Sequence, residues 1–302
     1  MGFRAVACGL AFVSATAWAA EPSAPAPQPK PDLDTHFFMP IDLRFRTQPV
    51  GIALETSAIY RDTYRRDGSK LFDGVYWETG ADLVVSPAFA EVGAHVEWLP
   101  IKIFKLRAEY HLIPYFGAVG YMLSYPSADA DYGDAVEDAR EGEEEAGLGH
   151  RFSLQPTVQF KFGPVVVRNS TNLYYYLLDG FDGPYQHERL YDRLIAQHDG
   201  IVANTSFILF QAWEGTDPAQ LLVGPYFEYA TTFADGNSRM RVGGTLVYIP
   251  HPAWGRIHKP RLVLQAGANL QDTNRPGAFY LQGGIGIDLW FRNKPVHSRS
   301  AK

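Results

Sequence analysis

FYLQGGIGIDLWF, residues 279–291, alternates apolar side chains with polar or glycine positions along almost its whole length. Successive side chains of a β-strand point to opposite faces of its sheet. As a strand, the segment puts Phe279, Leu281, Ile285, Ile287, Leu289 and Phe291 on one face. Gln282, Gly284, Gly286 and Asp288 take the other. One such strand also suits a soluble sandwich, so recurrence decides the fold. Residues 150–162 (HRFSLQPTVQFKF) repeat the pattern, with Phe152, Leu154, Pro156, Val158, Phe160 and Phe162 against Arg151, Ser153, Gln155, Thr157, Gln159 and Lys161. A helix would scatter both sets around its surface. Pro156 has no N–H and marks a weak point in any ladder it joins. Gly163-Pro164 makes a tight turn, and Val165–Leu178 returns as the next strand. Phe89–Trp98, Lys102–His111 and Arg261–Gln271 alternate in the same way. Further strands are predicted at Val50–Asp62, Val75–Val85, Ile201–Trp213, Leu221–Phe233 and Arg239–Ile249. These lengths fit the ~9–11 residues of a tilted strand crossing a bilayer.

The chain opens with the parts of a secretory signal over residues 1–19: Arg4 for positive charge, an apolar Ala5–Val13, and Ala17-Trp18-Ala19 as a small-residue cleavage site. Cleavage is expected after Ala19. The apolar stretch is shorter than the roughly 20 residues of a spanning helix. Cys8, the one cysteine, sits too early for a lipoprotein anchor and falls within the signal. The mature chain then carries no disulfide and no thiolate metal site. Glu21–Asp34 (EPSAPAPQPKPDLD) is rich in Pro and Ala without apolar period, and reads as an extended tether within a linker at 20–37.

A net charge of −6 gives no basic stripe for nucleic acid. Beyond the signal, no apolar run approaches helix-spanning length. In lipid every backbone polar group must be paired internally, which leaves a closed barrel as the remaining way to cross. An aromatic content of 14%, with 17 Tyr and 19 Phe, fits the aromatic girdles of such barrels. Over residues 38–291 the chain resembles Gram-negative outer-membrane β-barrels as a porin-like class, and Trp290-Phe291 is similar to the aromatic end of that class. The resemblance implies a bacterial outer-membrane location, recognition by the barrel-assembly machinery, and contact with outer-membrane lipids and lipopolysaccharide. Many members stop at the aromatic, whereas here a polar extension, 292–302, follows.

Loop lengths set the orientation, since such barrels have short periplasmic turns and longer outer loops. With the last strand ending in the periplasm, Asp272–Gly277, Ala234–Ser238, Asp179–Gly200 and Ser127–Gly149 fall outside. His251–Lys259, Glu214–Gln220 and Gly163-Pro164 fall inside. Two registers compete for the N-terminal half. One begins at Val50 and uses Gly117–Tyr125 as a strand; the other begins at Phe38–Phe45 and leaves Pro114–Leu148 as an outer loop. Either gives an all-β, antiparallel transmembrane barrel of about twelve strands, with ten or fourteen as the neighbouring even counts.

Function is sought on the inner faces. Glu91, His95 and Glu97 share a side with Lys105, Arg107, Glu109 and His111 on the next strand, and Glu78 and Asp82 can join them. A charged constriction passing small polar or charged solutes is the leading reading, with Glu78, Glu91, His95, Glu97, Lys105, Arg107 and Glu109 as the pore-lining candidates. The competing reading is an ion-pair network that fills the barrel, favoured locally by the mixed signs. His95, Glu97 and His111 raise metal binding, but no dense histidine cluster accompanies them, so no metal or other cofactor is assigned. The acidic run Asp129–Glu145 reads as a solvated loop able to meet lipopolysaccharide through divalent cations. Tyr185–Gln197 is expected to form a short helix with Leu190, Leu194 and Ile195 inward, placed to fold over the mouth. Two alternatives stand beside the channel: a plugged structural or surface-interaction barrel, and a barrel lipid hydrolase. The hydrolase would need a Ser–His pair. Ser238 with His251, and His150 with Ser153 or Ser170, are its candidates, and no catalytic residue is assigned.

Overall fold

The computed structural model describes residues 35–65, 68–188, 190–214, 219–250 and 253–291. In chain order the strands are β1 (Thr35–Thr47), β2 (Val50–Arg65), β3 (Val75–Val85), β4 (Ala90–Ile101), β5 (Phe104–Phe116) and β6 (Ser124–Tyr125). The short helix α1 (Asp134–Ala139) follows. Then come β7 (Ala146–Phe162), β8 (Val165–Asp179), β9 (Tyr185–Glu188), β10 (Arg193–Ala196), β11 (His198–Glu214), β12 (Gln220–Thr232), β13 (Ser238–Ile249), β14 (Ala253–Trp254), β15 (Ile257–Gln271) and β16 (Phe279–Phe291).

Twelve of these close a barrel. Neighbours pair antiparallel from β1 through β2, β3, β4, β5, β7, β8, β11, β12, β13 and β15 to β16. β16 then pairs with β1, from Phe37 opposite Phe291 to Arg46 opposite Gln282. The segment FYLQGGIGIDLWF is thus the closing strand. Closure removes the free edges that would leave backbone N–H and C=O groups bare in hydrocarbon. β1 also decides between the two registers. The barrel begins at Thr35, three residues before the expected boundary, and Gly117–Tyr125 contributes only the two-residue β6. The expected tether and signal at 1–34, the extension 292–302, and His251 lie outside the described residues.

Alternation sorts the wall as expected. Val92, Val96, Ile208 and Ile285 are each more than half exposed on the outer face, whereas Glu78, His95, Glu97 and Thr157 are buried on the inner one. Exposed aromatics gather toward the two ends: Tyr64, Trp77, Trp98 and Phe162 near one, Phe116, Tyr175, Phe233 and Phe279 near the other. Both long connections, 117–145 and 180–197, leave from the second end.

Candidate functional site

The inner charges of β3, β4 and β5 meet because the strand register stacks them. Glu78 lies opposite Glu97, and Glu97 opposite Arg107. Two carboxylates directly across a ladder repel, so cations from both flanks separate them. Arg61 on β2 donates through Nε to Glu78 at 2.6 Å. Lys105 Nζ sits 2.8 Å from Glu97, which also accepts the Tyr76 hydroxyl at 2.7 Å. One step toward the outer end, Asp82 accepts Ser57 Oγ at 2.6 Å and holds His95 Nδ1 at 2.7 Å. His111 Nε2 and Arg107 each lie 3.7 Å from the same carboxylate. Arg107 also pairs with Glu109. A further step outward, Arg151 grips Glu91 with two bonds of 3.1 and 2.6 Å.

Two glycines make this stacking possible. Gly80 faces His95 across the β3–β4 ladder, and Gly93 faces His111 across β4–β5. A Cβ would come within 2.4 Å of the His95 ring at Gly80 and 2.0 Å of the His111 ring at Gly93, too close for either to stay. Each glycine thus lets a histidine lie flat on the neighbouring strand and reach Asp82.

All seven candidates lie on the inner face, in one continuous network. Glu78, His95 and Glu97 are only 2% exposed, so these side chains fill the barrel on this side. The inner wall at the other side is not polar throughout. Leu222, Val247, Ile249 and Val263 form an apolar cluster there, packed by Val166 and Leu209. Arg61, Ser57 and Glu55 were missed, although β2 places all three on one face at even spacing. Ile59 is buried among them and Ala58 faces out, which blurred the alternation.

The outer end is capped from within. The segment Tyr185–Gln197 folds inward, but as the hairpin β9–β10, with β6 as a third strand, rather than as a helix. Arg193–Ala196 pairs residue for residue with Tyr185–Glu188, so both stretches are extended ladder partners rather than helix. Leu190, Leu194 and Ile195 are buried as expected. Leu190, Tyr191 and Ile195 join Tyr115, Tyr174, Tyr176 and Phe181 in one cluster that also takes in the wall residues Ala53, Ala203 and Ala230.

An ion-pair latch holds this cap. Asp192 is fully buried, with His187 Nε2 and Arg275 Nη1 each 2.8 Å from its Oδ1. Its Oδ2 faces Arg239 on β13 at 3.9 Å. His187 Nδ1 lies 2.5 Å from Glu137 on α1. Arg193 reaches Asp272 at 2.8 Å, and Arg275 reaches Asp134 at 2.7 Å. Part of the acidic run is therefore structural: Glu137 is withdrawn into the latch, while Asp134 reaches Arg275 from an exposed position. Burial works to raise the Asp192 carboxyl, but the His187 bond and the Arg275 and Arg239 charges outweigh it and hold it well below the usual carboxylate range. Glu188 goes the other way: burial raises it, against the N–H groups of Tyr191 and Leu190 that it accepts.

The Ser–His candidates built on His150 do not assemble. His150 faces outward and bonds the Tyr110 hydroxyl at 2.8 Å. Ser153 and Ser170 point inward, to Glu109 at 2.9 Å and Thr157 at 3.0 Å. The wall stands between the ring and either hydroxyl.

A closed antiparallel barrel, apolar and girdled outside and charged within, is a transmembrane β-barrel of the outer-membrane kind. No protein-family model matches the chain, and no curated protein matches it. Among solved structures it is similar to the β domain of the Bordetella autotransporter BrkA (10% identity, 84% of this chain and 98% of that one, TM-score 0.43). It is also similar to an outer membrane channel from Pseudomonas putida F1 (12%, 87% and 99%, 0.40). A third likeness is to the KdgM porin (8%, 84% and 99%, 0.36). At these identities and scores, nothing about solutes or activity passes from those proteins to this chain.

Proposed function

We propose that the protein is a bacterial outer-membrane channel for small charged solutes, with a narrow lumen, kept shut at its outer end by the β9–β10 cap. The supporting observation is the latch. The inner ladder of charges runs up the wall to a separate element whose seat depends on buried ion pairs around Asp192 and Arg275. Glu55, Arg61, Arg107 and Glu109 keep 15–24% of their side-chain surface accessible to water, so part of the ladder is wet. Of the seven candidates, Arg107 and Glu109 are the ones a solute would meet first once the cap moves, with Glu78, His95, Glu97 and Lys105 packed behind them and Glu91 beside them in the same ladder. The second reading, a permanently plugged barrel, is favoured by the tyrosine packing between cap and wall.

Planar-bilayer recording separates the two. Removing one partner of a buried pair costs about 3–5 kcal/mol, so Arg275→Ala should raise open probability at least about tenfold over a mostly closed native protein. Channels passing through the ladder should then change ion selectivity when Lys105→Glu is added. Silence in both the native protein and Arg275→Ala would overturn the channel in favour of the plug.

A further inference from the structure

The lumen holds a second charged cluster, on strands that the β3–β5 ladder does not use. Arg239 and Arg241 alternate with Met240 on β13, so both side chains point inward. They share one carboxylate, Glu228 on β12: Arg239 Nη2 lies 2.7 Å from its Oε1 and Arg241 Nη1 3.9 Å. Arg241 is held in place by Asn269 Oδ1 at 2.8 Å and by the Gln48 carbonyl at 3.0 Å. Its guanidinium lies over the Tyr280 ring, 4.8 Å from the centroid.

Donors are left over in this cluster. Arg239 Nε and Nη1 find no hydrogen-bond partner among the described residues, and neither does Thr205 Oγ1, opposite Glu228 in the β11–β12 ladder. Tyr226, Gly243, Gly267 and Tyr280 stand in register across β12, β13, β15 and β16. The two glycines leave the wall bare between the tyrosines, whose rings meet edge to face at 5.9 Å. Their hydroxyls have at most each other, so at least one proton there has no acceptor. Arg239, Arg241, Thr205, Tyr226 and Tyr280 are all at most 3% exposed. A buried donor without an acceptor costs about 1–3 kcal/mol, and more when it is charged. The cap brings a carboxylate close without engaging these donors. Asp192 Oδ2 stops 3.9 Å from Arg239 Nη1, because Oδ1 is committed to His187 and Arg275. Arg46 on β1 also faces the cap, donating through Nη1 to the Leu190 carbonyl at 3.0 Å.

We propose that Arg239, Arg241 and the Tyr226 and Tyr280 hydroxyls form the binding site for a small carboxylate solute, covered in the shut protein by the cap's own Asp192. The assignment rests on the channel reading above and gives its solute a chemical class. A guanidinium is a planar fork of donors that matches a carboxylate. The protein's own groups show the preference, since Glu228 and Asp192 approach the same Arg239 from the wall and from the cap. When the cap lifts, Asp192 leaves Arg239 and Arg46 loses the Leu190 carbonyl, so the donors of both strands turn to whatever enters the lumen.

Succinate titrated into the purified full chain in detergent, read by calorimetry, tests this. Arg275→Ala frees the cap and should bind succinate at least about tenfold more tightly than the native protein, because the competent state is no longer the minor one. Neutral succinamide should bind to neither. Arg239→Gln with Arg241→Gln, added to Arg275→Ala, should remove succinate binding. Tyr226→Phe with Tyr280→Phe deletes only the hydroxyls and should weaken it about tenfold, the size of one bond to a charged group. Heat-modifiable migration on a detergent gel shows that each barrel still folds. The proposal fails if Arg275→Ala takes up no succinate, if the native protein binds it as tightly, if succinamide binds as well, or if either added pair leaves the affinity unchanged. Bilayer recording keeps the two claims apart. Discrete conductance without succinate binding sinks the site and leaves the channel; succinate binding with silent bilayers keeps the site and sinks the channel.

Discussion

Asp82 is the residue on which the inner network turns, because Ser57, His95, His111 and Arg107 all converge on its carboxylate. Asp82→Asn keeps the volume and removes the charge that Arg107 faces. Loss of one partner from such a buried set costs about 3–5 kcal/mol, and urea unfolding in lipid vesicles should read a loss of that order. Gly93→Ala tests the stacking instead. Its methyl would crowd the His111 ring and press on the Tyr110 carbonyl, an overpacking expected to cost about 1–3 kcal/mol. If Gly93→Ala unfolds like the native protein, the imidazole is not held flat on β4. At this scale the sequence was half legible. Alternation put Glu78, His95, Glu97 and Arg107 on one face, but alternation carries no register. Only the pairing of Asp82 with Gly93 shows that one carboxylate serves two histidines.

At the level of elements, the cap has its own pH dependence. The Asp192 carboxyl is depressed in the folded cap, so its contribution is complete above the usual aspartate value near 3.9 and is lost as pH falls through the depressed one. The Glu188 carboxyl is raised, so cap stability falls as pH climbs from the usual glutamate value near 4.3 toward the raised one. From these two groups, hydrogen-exchange protection of 185–188 and 190–196, corrected for intrinsic rates, should be greatest near about pH 4. Glu188→Gln should remove the decline on the neutral side, and Asp192→Asn the decline on the acid side. A native profile that rises steadily from pH 4 to 7 would contradict this account. The cap was visible in sequence as a long connection with inward Leu190, Leu194 and Ile195. Its hairpin form was not, because four-residue strands are too short for periodicity to separate from a helical turn.

For the whole molecule, the outer face is a claim about solvent. Ile285 lies mid-strand on β16 and is 55% exposed. Ile285→Arg should cost about 2–4 kcal/mol in a bilayer, the value for a charge at the midplane. Gln282→Arg, on the inner face of the same strand, should cost clearly less. Equal costs would mean that the belt does not face lipid.

The closing strand Phe279–Phe291 shows how the information divides. Its alternation determined from sequence alone that the chain builds a two-faced wall, because a strand's side-chain period of two is a local property of the backbone. Repetition of that period, with no helix-length apolar run, determined the barrel, and loop lengths its orientation. What the tertiary structure decided is what occupies the space the wall encloses. Gln282, Gly284, Gly286 and Asp288 left room on the inner face of β16, yet neighbours far along the chain decide its contents. Arg261 takes Asp288 at 2.8 Å and Asp42 at 2.5 Å. The cap comes from residues more than eighty positions before β16. Lumen contents depend on through-space contacts between distant segments, and no local period records those.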